Sequence, residues 1–328
     1  MNRAFSIVIA FCCLLLPGAA SFAQEAFPAK PVQLIVHFPT GGVQDIVSRR
    51  LAEKFREDWG QPVLVINKPG ANGVVAWQYL LTTKPDGYNV FAVAGEGLGF
   101  VQLMNSSISS RFVDQFTPVA SYASYPLVFL VHKDLPVTNL RELAAHAKKN
   151  PQALSYGTTG VGSGGHFLFE LFKSAAGVSE ASLPAIHYAG IAPEITALVA
   201  NQIQVAIMPL TSIAAAQIDA GSIRALAVTA SNRSRFRKEI ATVTEQGYPA
   251  LVAKDYLSYW VTAKTPASVV RKLADATRSA TENSEMRKKI EDLYLEVEYL
   301  DGPDVLKQFE IRASQFEPLI KKLNIKVQ

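Results

Sequence analysis

A pair of glycines set between a strand-like run and a helical repeat constrains this chain most. The segment Phe38-Pro39-Thr40-Gly41-Gly42-Val43-Gln44-Asp45 follows the largely apolar run Leu34–Phe38 and opens a helix in which Val47, Leu51 and Phe55 recur every four residues. Glycines at a strand-to-helix turn let backbone amides face outward, and the helix behind adds the positive end of its dipole. The result is an anion cradle made of backbone. A second turn of the same design, Gly157-Thr158-Thr159-Gly160-Val161-Gly162-Ser163-Gly164-Gly165-His166, follows in the other half of the chain. Two such cradles imply a carboxylated ligand held between two lobes.

The rest of the pattern alternates strand and helix. In the first lobe, Gln33–Phe38, Val63–Ile66 and Val90–Ala94 read as strands, with helices over Val43–Trp59 and Gly73–Thr83. The second lobe repeats the plan. Its strands are Leu127–Val131, Leu154–Tyr156, Ala185–Tyr188, Val205–Met208 and Arg224–Thr229, and its helices Leu140–Lys149, His166–Ala176, Pro193–Asn201 and Thr211–Ala220. The chain then returns to the first lobe with strands Tyr256–Ala263 and Leu295–Tyr299 and helices Pro266–Glu282 and Pro303–Leu323. Alternating strands and helices predict an α/β fold with a mostly parallel sheet in each lobe and a ligand cleft at the carboxyl ends of the strands. Residues 24–126 and 253–328 are expected to form lobe 1, and residues 127–252 lobe 2.

The first 23 residues read as an export signal. Arg3 is the positive start, Ile7–Leu16 an apolar core too short to span a bilayer, and Ser21-Phe22-Ala23 the small-residue cleavage site. Cleavage after Ala23 leaves Gln24 first and places the protein in the periplasm. Both cysteines, Cys12 and Cys13, leave with the signal, so the 305 residues that remain have no thiolate or disulfide chemistry. Their 31 basic and 28 acidic residues give a net charge of +3, scattered with no nucleic-acid stripe.

Competing chemistries are weaker. Gly160-Val161-Gly162-Ser163-Gly164-Gly165 matches the dinucleotide fingerprint, but no acidic residue for a ribose ends the next strand, which reads His187-Tyr188-Ala189. Ser163 and His166 stand three apart at a helix start, with no nucleophile elbow and no third group, so Ser163 reads as a cap. His166 serves equally as a loop brace or a ligand neighbour. The other histidines have no metal spacing, and no cofactor is called for. Asp45 is read as orienting the first loop. Trp59 and Trp77 read as packing residues, whereas Tyr188, Tyr259 and Trp260 fall near strand ends or between the lobes, where aromatic rings line pockets.

Taken in order, these motifs resemble the substrate-binding proteins of tripartite tricarboxylate transporters, the Bug family. The likeness covers essentially the whole mature chain. It runs through Pro31-Val32-Gln33-Leu34-Ile35-Val36 into Phe38–Gly42 and Asp45, then Gly60-Gln61-Pro62-Val63, Asn67-Lys68-Pro69-Gly70-Ala71-Asn72-Gly73 and Pro85-Asp86-Gly87-Tyr88. It continues with Tyr156-Gly157, Gly160, Gly162-Ser163, His166, Tyr188-Ala189-Gly190, Ala192-Pro193, Arg224–Thr229 and Glu245-Gln246-Gly247-Tyr248-Pro249. The resemblance implies a two-lobed periplasmic flytrap, a monomer, that binds an organic (di)carboxylate without changing it. It implies delivery to a large and a small membrane permease subunit. Ligand contacts are expected from Pro39, Thr40, Gly41, Gly42, Val43, Gln44, Asp45, Gly95, Thr158, Thr159, Gly162, Ser163, His166, Tyr188 and Pro209, with no catalytic or metal-binding residue. Citrate, malate, adipate, terephthalate and protocatechuate are all candidate ligands. Thr40 adds a hydroxyl where the family often has proline. Pro209-Leu210-Thr211 replaces an acidic residue common there, which argues against amine-bearing ligands, while Glu96 adds an unexpected carboxylate. A sensory protein presenting its ligand to a receptor kinase would share these features; a secreted hydrolase is the rival enzyme reading.

Overall fold

Short apolar runs alternating with amphipathic repeats set the element order. The computed structural model describes residues 27–95, 97–105, 108–151 and 153–326; the segment read as an export signal, with its two cysteines, and Glu96 lie outside them. Strand β1 (Val32–Val36) leads to helix α1 (Val43–Trp59), β2 (Val63–Asn67), α2 (Val74–Leu81) and β3 (Asn89–Ala94). Two one-turn helices, α3 (Val101–Met104) and α4 (Phe112–Gln115), precede β4 (Phe116–His132). Next come α5 (Leu140–Lys149), β5 (Tyr156–Thr158), α6 (Gly164–Ala176), β6 (Ala185–His187), α7 (Ile191–Val199), β7 (Val205–Pro209), α8 (Ser212–Asp219) and β8 (Ile223–Val228). The chain closes with β9 (Lys254–Thr262), α9 (Ala267–Glu282), α10 (Ser284–Glu291) and α11 (Gly302–Leu323).

The strands among the described residues join one mixed sheet in the order β2-β1-β3-β9-β4-β7-β5-β6, with β8 also paired to β4. Pairing is parallel at the outer ladders, β1 with β2 and β3, and β5 with β6 and β7. It is antiparallel wherever β4 or β9 takes part. The expected mostly parallel sheet of each lobe is therefore parallel only away from the middle. The reason is that β4 leaves the first lobe and β9 re-enters it, so the two run in opposite directions side by side.

Strand β4 is the spine of the molecule, and sequence pattern shows only its second half. Up to Pro126 it pairs with β9; from Leu127 onward it pairs with β7 and β8. Its run Phe116–His132 is buried almost throughout, as a strand covered on both faces must be. Pro118 and Pro126 read as breaks because proline has no ladder donor. Pro118 sits where the β9 register shifts, and Pro126 where the partners change while its carbonyl still accepts Leu210 N at 3.1 Å. Leu295–Tyr299, read as a strand, makes one isolated bridge to β4, Glu296 with Ser124.

Helix α11 ties the two halves together from behind. Phe309 packs on Phe112 at 5.9 Å and on Trp260 at 4.6 Å, and Phe316 stacks on Phe167 of α6 at 5.2 Å. Trp260 is fully buried there and donates to Ser258 Oγ at 2.9 Å. Tyr259 is buried on the opposite face of the sheet against Tyr122, at 4.6 Å. Both rings belong to cores and neither faces a cleft. No helix of the described residues is long and apolar enough to cross a membrane.

Candidate functional site

The first glycine turn owes its shape to one carboxylate. Gly41 takes φ +84°, a conformation that favours glycine, and its N–H donates to Asp45 Oδ2 at 3.0 Å. Arg49 clasps the same carboxylate, Nε to Oδ2 at 3.0 Å and Nη2 to Oδ1 at 2.8 Å. Asn67, at the end of the neighbouring β2, completes the frame. Its Oδ1 accepts from Thr40 Oγ1 at 3.2 Å and from Arg49 at 3.1 Å, and its Nδ2 donates to Phe38 O at 3.0 Å. Burial alone would raise the Asp45 carboxyl, but the bonds from Arg49 and Gly41 outweigh it and hold the group below its usual range. Asp45 thus orients the loop. Gly42 caps α1 without a side chain, leaving the first-turn amides of the helix to face outward.

Histidines brace both turns. His37 Nε2 accepts Ala94 N at 3.1 Å and joins the ends of β1 and β3; burial lowers its pKa to about 3, so it is neutral. In the second turn, Gly162 takes φ +75° and its N–H donates to His166 Nδ1 at 3.1 Å. Burial, then His187 and Lys173, lower His166 to about 3 as well. Ser163 caps α6, its Oγ accepting His166 N at 3.3 Å. The serine is a cap, and the imidazole atom nearest the loop is already an acceptor, so the pair is not arranged as nucleophile and base. Thr158 is fully buried, bonded to Gly160 O at 3.2 Å and to His187 Nδ1 at 2.8 Å. Gly165 must lack a side chain because a Cβ there would lie 2.5 Å from Ile207 O.

Between the two turns lies a cavity of about 280 Å³. The size suits a small molecule at the lower edge of the usual pocket range, roughly 300–1,000 Å³. Of the expected contacts, Pro39, Thr40, Gly41, Gly42, Val43, Gln44, Gly95, Thr159, Ser163 and Pro209 line it. Asp45, Thr158, Gly162, His166 and Tyr188 do not line it; the first four brace its two turns through their hydrogen bonds. Phe38, Gly164 and Gly165, which lie in the two glycine turns, also line it, and pattern reading missed Asn72, Tyr125, Leu127, Asp255, Leu257, Leu295, Ile213 and the segment Ala189 to Pro193 leading into α7. Gly190 before α7 is a third helix-start glycine, at φ +105°, which its motif Tyr188-Ala189-Gly190 could have flagged. Gln44 is 4 % exposed, and its side-chain amide makes no hydrogen bond of normal geometry among the described residues. Asn72, itself at φ 49°, donates from Nδ2 to Gly162 O at 3.0 Å and links the two sides across the cavity. Among the described residues no group of three or more His, Cys, Asp and Glu is placed to hold a metal ion.

Two α/β halves joined by crossing strands, with a small cavity between helix N-termini from each, define a two-lobed solute-binding protein. Residues 47–325 match the model of the tripartite tricarboxylate transporter family receptor, TctC, and the chain belongs to that family. A UPF0065 protein of Bordetella pertussis is 32% identical over 314 residues, 96% of each chain. Among solved structures, R. palustris Rpa4515 with adipate superimposes with a TM-score of 0.81 at 27% identity, covering 92% of this chain and 99% of that one. MatC from Rhodopseudomonas palustris with bound malate gives 0.80 at 26% identity, covering 90% and 100%.

Proposed function

We propose that this protein captures a small organic acid with two carboxylates between its lobes in the periplasm and hands it unchanged to the large and small permease subunits of a tripartite transporter. The observation that carries the proposal is the pairing of two helix N-termini, α1 and α6, across one cavity whose remaining walls are mostly apolar. Free first-turn amides and helix dipoles favour anions at both ends, and an apolar middle suits the carbon chain. Closure is a hinge motion at the two crossings, with residues 24–126 and 253–328 turning against 127–252. Asp45 and His166 support the cradles from behind, and the engagement of Ser163 as a cap favours binding over hydrolysis.

Aliphatic diacids are the first candidates, because adipate and malate are the ligands named for two structural neighbours. Terephthalate loses the support expected of Tyr259 and Trp260, which are buried in cores. A thermal-shift screen across mono-, di- and tricarboxylates tests the proposal. A diacid at about 1,000 times its dissociation constant should add roughly 4 kcal/mol of stability, and mass analysis should recover it intact. A screen in which no carboxylate raises the melting temperature would overturn it.

A further inference from the structure

The segment Asn67-Lys68-Pro69-Gly70-Ala71-Asn72-Gly73 runs from one glycine turn to the other, and its two asparagines hold one turn each. Asn67 frames the first through Thr40, Arg49 and Phe38. Asn72 donates from Nδ2 to Gly162 O of the second at 3.0 Å, across 90 residues of sequence. The ends of the segment are fixed. Lys68 N donates to Val36 O at 2.8 Å, and a Cβ on Gly73 would lie 2.9 Å from His37 Nδ1. Between those ends Ala71 (φ 44°) and Asn72 (φ 49°) both take the left-handed conformation. Two such residues in succession are costly outside glycine and persist only where their surroundings over-determine them.

Gly162 meets a fitted seat. A Cβ on it would stand 2.7 Å from Met104 Cε, and one on Gly97 would stand 3.0 Å from Asn72 Nδ2 and 3.2 Å from Gly162 O. Glycine at both positions lets the backbone of the second turn come directly against the Asn72 amide.

We propose that Asn72 is the latch of this protein: its bond to Gly162 forms as the two lobes shut and adds its free energy to the capture of any acid that shuts them. This rests on the reading that residues 24–126 and 253–328 close against 127–252 around an organic acid. On that division Asn72 and Gly162 belong to opposite lobes, so opening must break their bond and return both groups to water. A ligand shifts an equilibrium by its differential affinity for two states. A contact made in the closed state alone widens that difference whatever acid is bound. Gly162 is then held at both backbone groups, its N–H by His166 Nδ1 at 3.1 Å and its carbonyl by Asn72, so closure fixes the second cradle from both sides.

Calorimetry and stopped-flow kinetics of the full mature protein with adipate, malate and succinate test this in wild type, Asn72→Gly and Asn72→Asp. Glycine accepts φ 49° freely and lacks the donor. Aspartate keeps the size and tolerates the left-handed turn, but an ionised carboxylate only accepts, and here it would face Gly162 O. Asn72→Gly should bind each acid that wild type binds about 2- to 13-fold more weakly, the range of one neutral hydrogen bond. The factor should be the same for each acid and should lie in faster dissociation, with association unchanged. Asn72→Asp should lose at least as much, and both free variants should melt near wild type, because the open form lacks the bond. Equal affinities in wild type and both variants overturn the inference and leave the organic-acid reading intact. Losses that differ from acid to acid also overturn it, since they would show Asn72 touching the ligand. A fall in free-protein stability that matches the loss in binding would reduce the bond to a structural one. If no acid binds wild type, the inference and the organic-acid reading fail together.

Discussion

Replacing Asp45 by alanine should damage binding and stability together, by an amount the structure lets one work out. The carboxylate accepts from Gly41 N and twice from Arg49. The Arg49 side chain is 47% exposed, so solvent screening leaves that pair about 0.2–1 kcal/mol. The part-buried amide-to-carboxylate bond contributes more, about 1.5–3 kcal/mol, the range of a hydrogen bond to a charged group. The loss is therefore about 2–4 kcal/mol in total, seen as a lower urea midpoint at unchanged slope. A ligand must then order Gly41 itself, at about 1–2 kcal/mol per residue fixed, which weakens affinity by about 5- to 30-fold. The effect has a pH signature. The folded carboxyl titrates below its ordinary value of 3.8, so its stabilisation is complete above that value and fades as pH falls through the lower folded pKa. The gap between wild type and Asp45→Ala should be constant from pH 8 to 5 and close in more acidic buffer. A variant that unfolds and binds like wild type, or a gap that persists unchanged in strong acid, would refute this account of the first loop.

Gly42→Val should weaken ligand binding at least about tenfold while costing only about 1 kcal/mol of stability, because φ −70° accepts any residue but valine is a poor N-cap and its Cβ would stand 3.3 Å from Pro39 O, which must yield slightly; wild-type affinity would show that this turn does not approach the ligand. Ser163→Ala removes the α6 cap, and denaturation should report about 1 kcal/mol lost together with reduced affinity. Glu194, in the first turn of α7, is fully buried, and burial, only partly offset by the Ile207 backbone, pushes its pKa well above 4.5. The folded state then holds a proton the unfolded chain releases, so stability drains away as pH rises above 4.5, and Glu194→Gln should outmelt wild type by a margin that widens toward alkaline pH.

The sequence pattern revealed the site better than the sheet. Helix α1 was legible to the residue because Val47, Leu51 and Phe55 repeat on one face, and Gly60 ends it in the left-handed conformation. The two glycine turns were legible because their backbone conformations need glycine. What stayed hidden arises from tertiary pairing. The first half of β4 is masked by Pro118 and Pro126, and its partner β9 lies far along the chain. Tyr259 and Trp260 looked equally suited to a cleft or a core, and only the packing of Tyr122 and Phe309 against them decides. Asp255 reaches the cavity because β9 starts beside Gly95 and Gly164, a meeting of three distant segments that no local pattern encodes.

The central claim, that two carboxylates are held by two cradles on opposite lobes, is tested most directly by calorimetry with acids that differ in one carboxylate alone. Adipate against hexanoate, and malate against 2-hydroxybutyrate, each replace a carboxylate by a methyl group and keep the chain length. In the pair that fits the cavity, the dicarboxylate should bind at least about tenfold tighter, because the monocarboxylate leaves one helix N-terminus without its anion. Equal affinities within both pairs would contradict the claim.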